Sequence, residues 1–185
     1  MCGMRREYAR QGLHITFTSG LALLSLVVSQ PVFLVIVVSS MLVLVWFVRH
    51  RPESTFFLRV MERAHDKQRF PGRGAVMVLL GAFFTALLFP SQLLPALLVL
   101  AVSDGLSTII GMRFGKKKIF RTKKSWVGSG AFFVSASAIL VFFSALWFVI
   151  AFVVTCAEMI DYHAYAFIDD NVVLPLLTGA LLFVL

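Results

Sequence analysis

Seven apolar runs divide this chain, at about 12–29, 31–48, 74–89, 92–114, 128–145, 147–162 and 172–185, and little sequence is left between them. With 59% hydrophobic and only 14% charged residues, and a mean hydropathy of +0.92, the chain falls outside the range of soluble domains, which carry about 25% charge. The expected fold class is all-α. The runs read as a polytopic integral membrane protein of about seven transmembrane helices, forming one domain over residues 1–185. Several runs fall short of the ~20 residues of a comfortable span. The 35 residues from Gly128 to Tyr162 are too many for one crossing of ~30 Å and are expected to fold as a hairpin near Ser144 to Trp147.

The first run follows Arg5, Arg6 and Arg10 but ends in Ser29-Gln30-Pro31 without a small-x-small cleavage site, so it reads as an anchor and not a cleavable signal peptide. Cys2 and Cys156 offer neither a disulfide framework nor a thiolate zinc site.

Charge orients the spans. With a cytoplasmic N-terminus and seven crossings, the N-terminal segment and the connections near 49–73, 113–127 and 162–171 lie inside and together hold all 17 Lys and Arg residues, leaving the C-terminus on the opposite side. The net charge of +8 therefore points to membrane topology and anionic lipid at the cytoplasmic face, and away from nucleic acid. Within the first of these connections, Ser54 to Phe70 carries Phe57, Val60, Met61 and Ala64 at helical spacing, with Arg59, Arg63 and Lys67 on other faces. An interfacial amphipathic helix is expected there. Pro71-Gly72-Arg73-Gly74 then breaks the chain before the third run, where Arg73 reads as a flank anchor or a phosphate contact.

The chemistry-bearing residues begin at Asp104, an acid inside the fourth run. An ionised side chain within a span costs roughly 2.5–3.5 kcal/mol and is a functional-site hypothesis by default. No basic residue is expected inside any span to pair with it, so a catalytic or metal role is favoured. Helical spacing aligns Asp104 with Ser107, Thr108, Gly111 and Gly115; the two glycines form a small-xxx-small pair suited to close helix approach, and Gly105 leaves backbone room for a ligand.

The next connection holds Arg113, Lys116, Lys117, Lys118, Arg121, Lys123 and Lys124. It runs into Ser125-Trp126-Val127-Gly128-Ser129, a small, hydroxyl-bearing helix start whose free amides and dipole suit polyphosphate. The spacing is not that of a P-loop. On the same side, Glu158 and Asp161 close the sixth run and Asp169-Asp170-Asn171 open the seventh, with Pro175 inside it. Asp169 or Asp170 is also suited to cap the last helix, while the grouping of carboxylates suits Mg²⁺, which takes one or two of them together with substrate phosphates.

Taken in order, these pieces resemble the CTP-dependent membrane lipid kinases: dolichol kinase, phytol kinase and the yeast-type diacylglycerol kinase, distantly related to the phosphatidate cytidylyltransferases. The matching stretches are Arg10 to His14 (RQGLH, with Gln11 where the family has lysine), Phe70 to Ala75 (FPGRGA), Asp104-Gly105 with Gly111 and Gly115, Lys124-Ser125 with Gly128-Ser129, and Glu158 followed by Asp170-Asn171 and Pro175. The resemblance implies CTP as donor, a divalent metal, and transfer of phosphate to a lipid alcohol at the cytoplasmic face. On this reading Lys116, Lys123, Lys124, Gly105, Ser125, Gly128, Ser129 and Arg73 hold the nucleotide; Asp104, Glu158 and Asp170 serve as catalytic or metal-binding carboxylates; and Arg10, His14, Ser107, Thr108, Gly111, Gly115 and Asn171 support them. Two other activities share parts of the pattern: CMP transfer to a phospholipid, and a small transporter or non-catalytic membrane protein using Asp104 and Glu158 as relays.

Overall fold

The structure, a computed structural model, describes residues 2–50, 72–119, 122, 124–160, 162 and 169–185. The interfacial helix expected over 54–70, together with Arg121, Lys123 and Asp161, lies outside the described residues. Among the described residues the chain folds into seven helices and no strand: α1 (Cys2–Val27), α2 (Gln30–His50), α3 (Arg73–Leu88), α4 (Pro90–Phe114), α5 (Trp126–Leu140), α6 (Trp147–Glu158) and α7 (Asp170–Val184). The apolar runs read from the sequence and these helices coincide within about five residues, except that α1 begins at Cys2, ten residues before its run. The hairpin is where it was expected: α5 stops at Leu140, and the Ser144 hydroxyl accepts from the Leu146 amide at 3.0 Å just before α6 begins.

Among the described residues two helices, Gln30–His50 and Pro90–Phe114, are long and apolar enough to cross a membrane unaided. The four apolar helices α3, α5, α6 and α7 have 16, 15, 12 and 15 residues, or about 18–24 Å at 1.5 Å per residue, less than the ~30 Å of a hydrocarbon core. The two long helices play different parts. In α4 61% of the apolar window is buried against other helices, whereas in α2 the share is 17%, and Val32, Val35, Leu42, Val43 and Trp46 of α2 face outward.

The reason lies in how the core divides. One cluster joins Leu21 and Ala22 of α1, Phe33 and Val37 of α2, Val78, Leu79, Ala82 and Ala86 of α3, and Leu93 and Leu97 of α4. A second joins Val99 and Leu100 of α4 to Phe132, Ala136 and Leu140 of α5, Ile150, Ala151 and Val154 of α6, and Leu174 and Leu182 of α7. Among the described residues only α4 contributes to both, so it is the central post. The Gln30 side chain ties α2 to α3 by donating to the Ala86 carbonyl at 2.8 Å.

α4 is not uniform. It opens with a 3-10 turn at Pro90–Gln92, continues as α-helix over Leu93–Leu98, widens to π geometry over Val99–Asp104 and returns to α-helix from Gly105. π turns are rare and concentrate at functional sites, because the extra residue redirects the side chains that follow. Here the wide turn ends on Asp104.

Two close approaches set the remaining geometry. A Cβ on Gly128 would lie 2.8 Å from the Ser107 carbonyl oxygen, and one on Gly111 3.0 Å from Ser125 Oγ, so α4 and the start of α5 touch backbone to backbone. On the other side of the bundle, Gly81 of α3 lies against the Asn171 carbonyl and Pro175, which brings α3 onto the first turn of α7.

A candidate active site at the ends of α4, α5, α6 and α7

Four carboxylates face this region: Asp104 closes the π turn midway along α4, Glu158 sits on the last turn of α6, and Asp169 and Asp170 stand at the start of α7. All four are buried, none more than 6% exposed. Buried carboxylates persist only when paired or hydrogen-bonded. The pairing comes from Lys124, the residue just before the N-cap of α5. Its ammonium stands 2.9 Å from Glu158 Oε1 and 3.6 Å from Asp170 Oδ2. The other oxygen of Glu158 accepts a 2.8 Å hydrogen bond from the Ser129 hydroxyl, one turn into α5. Asp169 is the N-cap of α7; its Oδ1 accepts from the Asn171 amide at 3.0 Å and from Asn171 Nδ2 at 2.7 Å, while Asp170 Oδ1 also takes the Asn171 amide at 3.1 Å.

Burial disfavours the charged form of Lys124, but the fields of Asp170, Glu158 and Asp104 outweigh it and hold the ammonium above its usual pKa. Lys124 is therefore a fixed positive charge. The Tyr162 phenol is also raised, chiefly by burial, with Asp170 and Glu158 adding to the shift against an opposing pull from Lys124.

Asp104 is not alone in its helix layer. His14 Nε2 of α1 lies 3.7 Å from Asp104 Oδ2, which corrects the expectation of an acid without a basic neighbour: α1 lies on the π turn and carries the histidine to it. Arg10, one turn earlier, is taken by Glu7, with its Nε 3.0 Å from the carboxylate. The room expected beside Gly105 is filled by Ile15, whose Cγ1 would stand 2.5 Å from a Cβ there; this glycine serves α1 packing.

The helix start at Ser125 differs from the open nest of amides read from the sequence. The Ser125 hydroxyl accepts from the Gly128 amide at 3.1 Å, the Ser125 carbonyl takes the Ser129 amide at 3.0 Å, and the Trp126 amide reaches the Lys117 carbonyl at 3.3 Å. A helix that caps itself has few donors left for phosphate. Ser107 and Gly111 are buried and Thr108 half-buried, and Gly111 and Gly115 both lie against the Ser125 side chain, so this stripe is the packing seam for α5. Lys116 is exposed and makes no ion pair among the described residues.

Arg73 remains open to the phosphate contact expected of it. It opens α3 after Gly72, whose φ of 79° only glycine adopts without strain. Its Nε and Nη2 are buried and, among the described residues, have no hydrogen-bond acceptor. Two buried, unsatisfied guanidinium nitrogens are costly and are suited to an anion.

The metal centre expected from Asp104, Glu158 and Asp170 does not fit these residues. The Lys124 ammonium already sits between Glu158 and Asp170, Asp104 faces His14, and among the described residues no three His, Cys, Asp or Glu side chains are grouped to hold an ion.

No protein-family model matches the chain, and no solved structure matches it. Among curated proteins it is 30% identical over 181 residues to the uncharacterized protein MJ1137 of Methanocaldococcus jannaschii, covering 94% of this chain and 91% of the other. The chain belongs to the family of MJ1137. It is also 33% identical over 111 residues to a probable chloroplastic phytol kinase of Triticum aestivum, covering 49% of this chain and 35% of that protein. A similar relation, 28% over 132 residues, links it to the probable phytol kinase 2 of Glycine max, of which it spans 45%. The chain thus spans less than half the length of these plant relatives.

Proposed function

We propose that this protein is a lipid kinase that transfers the terminal phosphate of a nucleoside triphosphate, CTP by resemblance, to the hydroxyl of a membrane lipid alcohol. The observation that supports this best is the buried Lys124–Glu158–Asp170 ion cluster at the mouth of four helices, in a chain related over about half its length to proteins named phytol kinase. Phosphoryl transfer demands positioning and charge neutralisation more than covalent chemistry, and a cation fixed between two buried carboxylates is suited to both.

The chain's own residues divide the work. Lys124 and Arg73 neutralise the transferring phosphate. Glu158, gripped by Ser129, and Asp170, at the capped start of α7, hold Lys124 in place, and Asp169 fixes Asn171 beside them. Asp104 accepts the proton of the attacking hydroxyl as the new phosphorus–oxygen bond forms and the bond to the nucleoside diphosphate breaks. A divalent cation enters as part of the metal–nucleotide complex, as substrate.

The apolar faces of α2, α5 and α6, with Val35, Leu42, Val134, Phe148 and Phe152 outward, suit a lipid surround. In this reading the seven helices cross the bilayer as one domain, the short ones in a thinned or polar-lined region, with the N-terminus and the cationic connections cytoplasmic and in contact with anionic lipid.

The test is to offer the purified protein CTP and ATP separately, labelled in the base and in the terminal phosphate, with a panel of lipid alcohols. The reading requires a phosphorylated lipid plus a nucleoside diphosphate. Pyrophosphate and a CMP-bearing lipid would replace it with cytidylyl transfer.

A further inference from the structure

Among the described residues, three connections lie at the end of the bundle away from Lys124, and they are unlike one another. The antiparallel contact of α4 with α5 and the hydrogen bond from Gln30 to the Ala86 carbonyl bring the α1–α2, α3–α4 and α5–α6 turns to that end. Two are polar, Ser29-Gln30 and Pro90-Ser91-Gln92, with Ser29, Pro90 and Ser91 exposed. The third, Val141 to Leu146, reads Val-Phe-Phe-Ser-Ala-Leu. Every exposed side chain in it is apolar, with Phe142 at 83%. The chain on either side of it, from Gly128 to Ala157, holds no charged residue. Turns that face water are built mostly from Gly, Pro, Asn, Asp and Ser. This one presents two phenylalanines instead.

Its backbone is closed on itself. The amides of Val141, Phe142 and Phe143 donate to the Ser137, Ile139 and Leu140 carbonyls at 3.1, 3.3 and 2.9 Å. The Ser144 amide shares the Leu140 carbonyl at 3.1 Å, and the Trp147 amide takes the Ser144 carbonyl at 3.3 Å. The Leu146 amide donates to the Ser144 hydroxyl, which uses the one polar side chain of the turn. Unpaired backbone groups are what bar a loop from hydrocarbon, and these amides have partners of their own. Length points the same way. From the level where Gly128 meets the Ser107 carbonyl, α5 reaches Leu140 in about 18 Å, while α4 runs about 25 Å back to Pro90, at 1.5 Å per residue. The apolar turn thus has less helix with which to reach the far surface of a ~30 Å core than the polar turn beside it.

Resting on the membrane placement that goes with the lipid-kinase reading, we propose that α5 and α6 form a re-entrant hairpin. It enters from the cytoplasmic face, turns among the acyl chains of the far leaflet with Phe142, Phe143 and Leu146 outward, and returns, in place of two full crossings. Removing a pair of crossings leaves every cationic connection on its own side. The open ends of the hairpin carry the ion cluster: Ser129 and Lys124 at the start of α5 meet Glu158 at the end of α6 at 2.8 and 2.9 Å. A hairpin held from one face keeps those two ends level with each other whatever the thickness of the bilayer around it.

The experiment places a nitroxide spin label on single cysteines, Phe142→Cys, Leu146→Cys and Ser91→Cys, in the full chain carrying Cys2→Ala and Cys156→Ala, reconstituted in liposomes. All three side chains are exposed, so the labels displace no packing, and thermal unfolding checks that each variant is folded. Relaxation by oxygen, which concentrates in hydrocarbon, is compared with relaxation by a water-soluble nickel chelate. At Phe142→Cys and Leu146→Cys oxygen should dominate and the chelate effect should be lost; at Ser91→Cys the order should reverse. Relaxation by the chelate at the α5–α6 turn places it in water and overturns the proposal. Protection from both probes there, the mark of a second protein chain over the turn, overturns it too, as does oxygen dominating equally at Ser91→Cys. The measurement needs neither nucleotide nor turnover, so a protein that phosphorylates no lipid alcohol yet shows the stated pattern sinks the kinase and leaves the hairpin standing.

Discussion

The Lys124 ammonium stands 2.9 Å from the Oε1 of Glu158, a carboxylate 3% exposed on a different helix, and this contact joins the start of α5 to the end of α6. Replacing Lys124 by methionine leaves Glu158 and Asp170 buried without their cation. Breaking a buried pair from one side costs about 3–5 kcal/mol. Thermal unfolding in detergent should show Lys124→Met markedly destabilised, and Lys124→Met with Glu158→Leu partly restored, because the double change removes both charges. Phosphate transfer should fall by about 10²–10³ in either variant.

The pH dependence of that contact has a definite sign. The folded pKa of Lys124 lies above its unfolded value of about 10.5. Its contribution to stability is therefore complete below pH ~10.5 and is lost as pH rises through the higher folded value. Melting temperatures measured from pH 8 upward should decline in the wild type only at the alkaline end, and Lys124→Met should lack that part of the decline.

Asp104→Asn is nearly isosteric and keeps the side chain in its layer with His14. It should abolish lipid phosphorylation, by about 10²-fold or more for a lost proton acceptor, while the protein stays folded and inserted. Normal turnover would remove Asp104 from the mechanism.

Without nucleotide, the protein should not bind a divalent ion tightly. Manganese paramagnetic resonance titrations should report weak binding to the protein alone and a bound signal only after nucleotide is added. Tight binding of Mn²⁺ to the free protein would restore the carboxylate metal centre.

Gly128→Ala drives a Cβ to 2.8 Å from the Ser107 carbonyl, backbone against backbone, and should cost about 1–3 kcal/mol. Gly130→Ala, whose Cβ meets open space two residues later, serves as the control and should be neutral or stabilising.

Much of this arrangement was legible in the residues. The apolar runs give the seven helices because local hydropathy and turn chemistry act over the few residues that make a helix. Asp104, Glu158 and Asp170 were recognisable as candidates because acids within or at the edge of apolar runs are rare. Thr18 and Gln11 were legible in principle, as polar residues in register with His14 on an apolar helix. What they pack against was not, since a periodic polar stripe looks alike whether it faces lipid headgroups, water or a partner helix.

By itself the sequence determined the helices, their order and the end of the bundle to which the charges go, because each follows from residues adjacent in the chain. Partnership was decided only in the tertiary structure. Lys124 reads as one cation among many in its loop, yet it alone of that run is carried between Glu158 and Asp170 among the described residues. Gly105 reads as space for a ligand, yet α1 fills it with Ile15. The Ser125 turn reads as an anion cradle, yet it caps itself. In each case the outcome depends on which helix packs alongside, and packing is fixed by the summed fit of whole faces around α4, which no short motif encodes.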